Sequence, residues 1–125
     1  MTFHSIKSLW IAAWFILIGG ISLGSLLPIE TISGPASLIG DKAQHFGAYC
    51  LLGILSILSG RNLRERKLLL LVSFIWSIAI EVIQPVTGRY FEWADILANG
   101  IGLMASIPMM LFFEAGRRKL MAQKI

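Results

Sequence analysis

The sequence predicts an all-α membrane protein: a single domain built as a bundle of four transmembrane helices, with both termini in the cytoplasm. Four long apolar runs fill most of the 125 residues, and hydrophobic residues make up 56% of the chain. Charged residues make up only 14%, whereas a soluble domain has about 25%. The chain therefore lacks the polar surface of a soluble protein, and its basic residues gather at alternate ends of the runs.

The predicted spans are residues 9–28, 42–60, 67–86 and 93–114. The first run, from Ser8 to Ile29, carries no charged residue and exceeds the roughly 20 residues that a span needs. No A-x-A cleavage site follows it, so a cleaved leader is not expected. The segment from Ile29 to Gly40 is rich in glycine, serine and proline, which predicts a loop.

The later runs each contain a polar residue near one end. His45 interrupts the second run, Glu81 lies near the end of the third, and Asp95 lies near the start of the fourth. Pro108 is expected to bend the fourth span near Met104, whose carbonyl loses its helical partner. Small residues at Gly20-x-x-x-Gly24 and Ala98-x-x-x-Gly102 have the spacing of close helix contacts.

The distribution of charge predicts the orientation. The net charge is +4 and the pI is about 9.6, but the basic residues lie in short clusters beside apolar runs. This pattern indicates membrane orientation and not nucleic-acid binding. Four spans place 9 of the 11 basic residues on the side of the termini: Lys7, Arg61, Arg64, Arg66, Lys67, Arg117, Arg118, Lys119 and Lys124. Five of the seven acidic residues fall on the other side, which we expect to face outward.

Three polar stripes run along helix faces and reach a similar depth from the outer side. The stripe on span 2 is Asp41, His45 and Tyr49, at i, i+4 and i+8; that on span 3 is Ser73, Ser77, Glu81 and Gln84; that on span 4 is Asp95, Asn99, Gly102 and Ser106. The predicted polar pocket is Asp41, Lys42, His45, Tyr49, Glu81, Gln84, Arg89, Glu92, Asp95 and Asn99. We expect Glu81 to be held charged by Arg89 or His45.

Simpler interpretations stay open for several of these residues. Polar side chains often hold membrane helices together without a further role. Asp41 and Asp95 are candidates to cap the starts of spans 2 and 4, and Arg89 with Glu92 for an exposed ion pair. His45 and Glu81 lie too deep to be caps, and an isolated glutamate at that depth is costly unless neutral or paired.

Metal and nucleophile chemistry are not predicted. His45, Glu81 and Asp95 are suitable ligand types for a divalent ion, but neither an H-E-x-x-H motif nor a set of cysteines is present. We therefore expect no metal and no cofactor. A G-x-S-x-G motif is also missing, although acid–base work by Glu81, His45 and Asp95 stays open.

The outer ends of the spans resemble the VanZ-like family of small bacterial membrane proteins. The resemblance rests on Asp41-Lys42-x-x-His45-Phe46-x-x-Tyr49, on Glu81-x-x-Gln84, and on Arg89-x-x-Glu92-x-x-Asp95-x-x-x-Asn99-x-x-Gly102. It implies a multi-pass protein of the bacterial cytoplasmic membrane. The family is named for an accessory product linked to glycopeptide (teicoplanin) tolerance, and no agreed biochemical activity comes with it.

Three hypotheses for function follow. The first is an accessory cell-envelope protein whose outward pocket binds a membrane lipid head group or a lipid-linked cell-wall precursor, with Arg89 and Lys42 meeting anionic groups. The second is a membrane enzyme that uses Glu81 or His45 as general base on a lipid-linked substrate. The third is a structural or transport subunit in which the cluster only locks helices together. The sequence favours the first slightly and leaves the oligomeric state open.

Overall fold

The computed structural model describes residues 2–27 and 36–124, and within these ranges the protein is helical without strands. The helices are α1 (Phe3–Leu26), α2 (Ala36–Ser59), α3 (Leu63–Ile83), α4 (Trp93–Ala105) and α5 (Ile107–Ala122), and a 3-10 turn (Gln84–Thr87) extends α3. Three helical segments are long and apolar enough to cross a membrane: His4–Leu26, Leu63–Thr87 and Trp93–Ala122. The all-α class of a multi-pass membrane protein is therefore confirmed.

Two predicted boundaries differ from the structure. Helix α2 begins at Ala36, so the predicted loop extends too far toward Gly40; its earlier residues, 29–35, lie outside the described ranges. Serine and glycine cost a helix only about 0.5–1 kcal/mol each relative to alanine, which tertiary packing can override. In the fourth run the helix is interrupted at Ser106, between α4 and α5, close to the bend that Pro108 predicts.

Helix α2 lies at the centre of the bundle, where it packs chiefly on α4 and also on α1 and α3. Its residues Tyr49, Leu52 and Leu55 are buried against Trp14 of α1 and Leu103 of α4. Many large apolar side chains on the other helices face outward instead, as a lipid environment allows. The core therefore depends on the close approach of α2 to its neighbours.

Glycine permits that approach at one of the two predicted small-residue motifs. A Cβ atom on Gly102 would collide with the backbone carbonyl oxygen of Phe46 and lie 3.0 Å from the amide nitrogen of Cys50. On Gly20 or Gly24, by contrast, a Cβ atom would meet no described atom within 4 Å. The motif on α4 thus marks a tight contact with α2, and the described neighbours of α1 make no such contact at its motif.

The bundle has a basic end, where the start of α1 meets the turn between α2 and α3. The Lys7 ammonium donates to the carbonyl oxygens of Leu58 and Gly60, at 2.7 and 3.3 Å, and so caps the C-terminus of α2. A second pair at this end joins Arg66 to Glu114 at 2.5 Å, with both side chains nearly buried.

Candidate functional site

The predicted pocket residues lie at the other end of the bundle, where α2 and α4 begin and the 3-10 turn ends α3. Six of them are buried: His45, Tyr49, Glu81, Gln84, Asp95 and Asn99. Asp41, Lys42, Glu92 and Arg89 are more open to solvent, with Arg89 the least so. We call Asp41, Lys42, His45, Glu81, Arg89, Glu92, Asp95 and Asn99 the polar cluster.

Lys42 joins α2 to the start of α4. Its ammonium donates to one carboxylate oxygen of Asp95 and to Glu92, and it lies 3.5 Å from Asp41. Glu92 therefore takes Lys42 as its ion-pair partner in the described part of the chain, and the alternative of an exposed Arg89–Glu92 pair does not fit. The turn after the 3-10 helix places the Glu92 side chain beside α2, where it contacts Lys42.

His45 is held between α2 and α4. Its Nδ1 atom lies 2.8 Å from Oδ1 of Asn99, and its Nε2 atom lies 3.7 Å from Asp41 and 3.8 Å from the second carboxylate oxygen of Asp95. Because the amide oxygen of Asn99 can only accept, this arrangement assigns the proton to Nδ1 in the neutral ring. Nε2 then presents a lone pair toward two carboxylates.

Glu81 is fully buried at the end of α3. Neither of its carboxylate oxygens has a hydrogen-bond partner of normal geometry among the described residues. The groups in electrostatic reach of it are Asp95, His45, Lys42 and the backbone N–H of Glu92. A buried acceptor without a donor costs about 1–3 kcal/mol, and more when it is charged.

Arg89 turns away from Glu81, so the predicted Arg89–Glu81 pair is wrong. Its guanidinium lies 3.9 Å from Asp41 and donates to the carbonyl oxygen of Gly24 at 3.4 Å. The alternative partner in that prediction, His45, does lie in electrostatic reach of Glu81. The 3-10 turn after α3 carries Arg89 past the helix end toward α1, and Gln84 in this turn donates to the carbonyl oxygen of Ser25 at 3.1 Å.

The interpretation as a residue at a helix start fits Asp95 but not Asp41. Asp41 lies in the second turn of α2, which begins at Ala36, and is too far from the helix start to cap it. Asp95 is in the first turn of α4, where the helix dipole favours its carboxylate, and the same carboxylate accepts a hydrogen bond from Lys42. Tyr49 lies one turn below His45, is buried in the hydrophobic core, and is in electrostatic reach of Glu81.

The polar cluster carries an excess of negative charge. Its four carboxylates, Asp41, Glu81, Glu92 and Asp95, face two permanent cations, Lys42 and Arg89, which leaves a net charge of −2 when all four are ionised and His45 is neutral. Both cations already have carboxylate partners. The arrangement is thus better suited to ligands that donate hydrogen bonds or carry positive charge than to a bare anion.

A cavity of about 400 Å³ that no sequence pattern predicted lies at the basic end, between α1 and the start of α3. Lys7, Arg61 and Ser59 are among the residues that line it. In the sequence this cavity is marked only by a cluster of basic residues, and the preference of basic residues for the cytoplasmic side already accounts for that cluster.

A family model described as VanZ/LLP1 matches residues 1–114 of the chain. No curated protein and no solved structure matches.

Proposed function

Because the chain belongs to the VanZ/LLP1 family, we propose that it is an accessory protein of the bacterial cytoplasmic membrane that binds a polar lipid head group. The ligand is a membrane lipid or a lipid-linked cell-wall precursor, held by the polar cluster at the outer surface. The observation that carries this proposal is Glu81, a fully buried carboxyl group whose oxygens have no hydrogen-bond partner of normal geometry among the described residues.

The proposal includes a fourth span, α2. This helix has 24 residues and is about 36 Å long, enough to cross a hydrocarbon core of about 30 Å. The contacts support it: Lys7 at the start of α1 touches the end of α2, and Ser25 at the end of α1 touches the 3-10 turn after α3. Helices α1 and α3 therefore run in the same direction, and α2 returns the chain between them.

We infer from the positive-inside rule that the basic end of the bundle faces the cytoplasm. Reporter fusions after Lys124 and in the segment between α1 and α2 test it. We expect a cytoplasmic signal from the first fusion and an external signal from the second. A C-terminus found outside would refute the outward-facing site while leaving the fold intact.

The chemistry of the head group follows from the cluster. Glu81 needs a partner that donates hydrogen bonds, and hydroxyl or ammonium groups do so. A phosphate alone would have to compete with four carboxylates for Lys42 and Arg89. We therefore expect head groups with hydroxyl or amine donors, such as sugars, glycerol or ethanolamine, to bind better than phosphatidic acid.

Thermal unfolding of the purified chain in detergent tests this selectivity. We expect phosphatidylethanolamine or phosphatidylglycerol, at a hundredfold excess over its Kd, to stabilise the chain by about 2–3 kcal/mol relative to the lipid-free protein. At the same concentration, phosphatidic acid should raise the melting temperature less. Glu81→Gln should lose this difference, and Glu65→Gln, a matched change at the basic end, should keep it. Equal protection of wild type and Glu81→Gln would overturn the proposal.

A second candidate is a membrane enzyme, favoured by the presence of Glu81, His45 and Asp95 in one buried cluster. In it, Glu81 or His45 acts as general base on a lipid-linked or ester substrate. Mass spectrometry of lipids incubated with the protein separates the two candidates. A binding protein returns the lipid unchanged, whereas an enzyme forms a product that Glu81→Gln no longer makes.

A further inference from the structure

Three side chains in the polar cluster converge with the spacing of a shared cation. One ligand atom from each of Asp41, His45 and Asp95 lies within 4.8 Å of the other two. The Nε2 atom of His45 is 3.7 Å from Asp41 and 3.8 Å from Asp95. These distances are too long for hydrogen bonds. Two ligands on one tetrahedral zinc ion lie about 3.3–3.6 Å apart, so small side-chain adjustments would close the set on a metal.

The orientation of His45 is that of a metal ligand. A histidine that binds a metal usually donates its other ring N–H to an oxygen acceptor, which fixes the tautomer and aims the free lone pair. Here Nδ1 faces the Asn99 oxygen at 2.8 Å, and Nε2 points between two carboxylates. In the neutral ring this lone pair faces negative charge, an arrangement that a cation between them would stabilise.

Glu81 is a second and independent sign of a missing positive group. It is fully buried, and its two oxygens have no hydrogen-bond partner of normal geometry among the described residues. Asp95, His45 and the backbone N–H of Glu92 lie in electrostatic reach of it. When all four carboxylates are ionised and His45 is neutral, a divalent ion would also balance the net charge of −2 of the polar cluster.

At Asp95 a divalent ion needs no displacement of Lys42, because Lys42 contacts the Oδ1 atom and Nε2 of His45 faces the Oδ2 atom. At Asp41 the oxygen that faces Nε2 also lies 3.9 Å from the Arg89 guanidinium, so a bound ion would compete with Arg89 there.

We propose that Asp41, His45 and Asp95 bind one divalent transition-metal ion, with Zn²⁺ the preferred ion. A mixed set of one imidazole and two carboxylates suits Zn²⁺ better than Mg²⁺ or Ca²⁺, which prefer oxygen ligands alone. The protein supplies three ligands, which leaves a fourth position of a tetrahedral ion for water or another group. The proposal goes beyond head-group binding, because it requires no lipid and either one can fail without the other.

The experiment is a titration of the full chain with ZnCl₂ by calorimetry, in detergent free of added lipid, after chelator treatment and without a histidine tag. We expect one Zn²⁺ per chain, and at least tenfold weaker binding for His45→Gln and for Asp95→Asn. Asn99→Ala should weaken binding by about 10–100-fold, as loss of an orienting partner does. Lys42→Met should tighten it. The control is His4→Gln, which removes the other histidine of the chain and should change nothing.

Two further measurements keep the proposal falsifiable if a buried variant does not fold. Asp41→Asn changes a side chain that is 37% exposed and should also weaken Zn²⁺ binding. Co²⁺ added to the wild-type chain should give the strong visible absorption of a four-coordinate site with nitrogen and oxygen donors. The proposal is overturned if Zn²⁺ does not bind stoichiometrically, if His45→Gln binds it as tightly as wild type, or if Mg²⁺ binds as tightly as Zn²⁺.

Discussion

Gly102→Ala tests whether the contact between α2 and α4 builds the polar cluster. An alanine Cβ would collide with the carbonyl oxygen of Phe46 and lie 3.0 Å from the amide nitrogen of Cys50. Both atoms are backbone atoms of α2, so relief requires the helices to move apart. Overpacking of this kind costs about 1–3 kcal/mol, and we expect a value toward the upper end because no side chain can rotate away.

Gly20→Ala is the matched control. Its Cβ would meet no described atom within 4 Å, and it replaces glycine by alanine inside a helix in the same way. Both variants gain about 0.5–1 kcal/mol of helix propensity, so the difference between them isolates the steric cost. Gly100→Ala should fall between the two, because its Cβ would lie 3.3 Å from the ring of Phe74, which can shift.

The assay is unfolding in detergent, followed by tryptophan fluorescence, combined with the zinc titration. Gly102→Ala should unfold at lower temperature than Gly20→Ala and bind Zn²⁺ more weakly, because separation of the helices would break the contact of His45 with Asn99. The reasoning is refuted if Gly102→Ala is as stable as Gly20→Ala. It is also refuted if stability falls while the zinc affinity of the folded fraction does not change.

Two further predictions concern charges elsewhere in the bundle. Glu114→Gln should destabilise the protein by about 3 kcal/mol, because it leaves the nearly buried Arg66 without its carboxylate. Arg61→Ala breaks an exposed pair and should cost less than about 1 kcal/mol. Chemical unfolding in detergent measures both free energies, and equal losses would contradict the burial of the Arg66–Glu114 pair. Arg89→Ala and Glu81→Gln should have additive effects on stability within about 0.5 kcal/mol, because the two side chains have different neighbours. A larger coupling energy in a double-mutant cycle would show that Arg89 and Glu81 interact directly.

The helices and the polar faces could be predicted from the sequence because each depends on local spacing. Apolar runs of about 20 residues indicate membrane spans, and polar residues at i and i+4 share a helix face. Such residues are costly in lipid and turn inward, which is why His45, Glu81, Asp95 and Asn99 are indeed buried together.

The pairing of charges could not be predicted, because it depends on the rotation and height of each helix relative to its neighbours. From sequence, Lys42 and Arg89 are equivalent cations near one surface. In the structure Lys42 bridges α2 and α4, while Arg89 reaches back toward α1. Arg66 shows the same limit: the orientation rule explains it as a cytoplasmic charge, but it forms a nearly buried pair with Glu114.

This pairing changes what the polar cluster can recognise. If Lys42 and Arg89 were free, the end of the bundle that holds the polar cluster would attract phosphate, and a lipid anion would be the natural ligand. Since carboxylates engage both cations, an incoming anion gains little and meets an excess of negative charge. The groups that still lack a partner are hydrogen-bond acceptors: the carboxyl oxygens of Glu81 and, in the neutral ring, the Nε2 lone pair of His45. Any ligand must therefore bring hydrogen-bond donors or positive charge, a requirement that hydroxyl and amine head groups and a divalent metal ion satisfy in different ways.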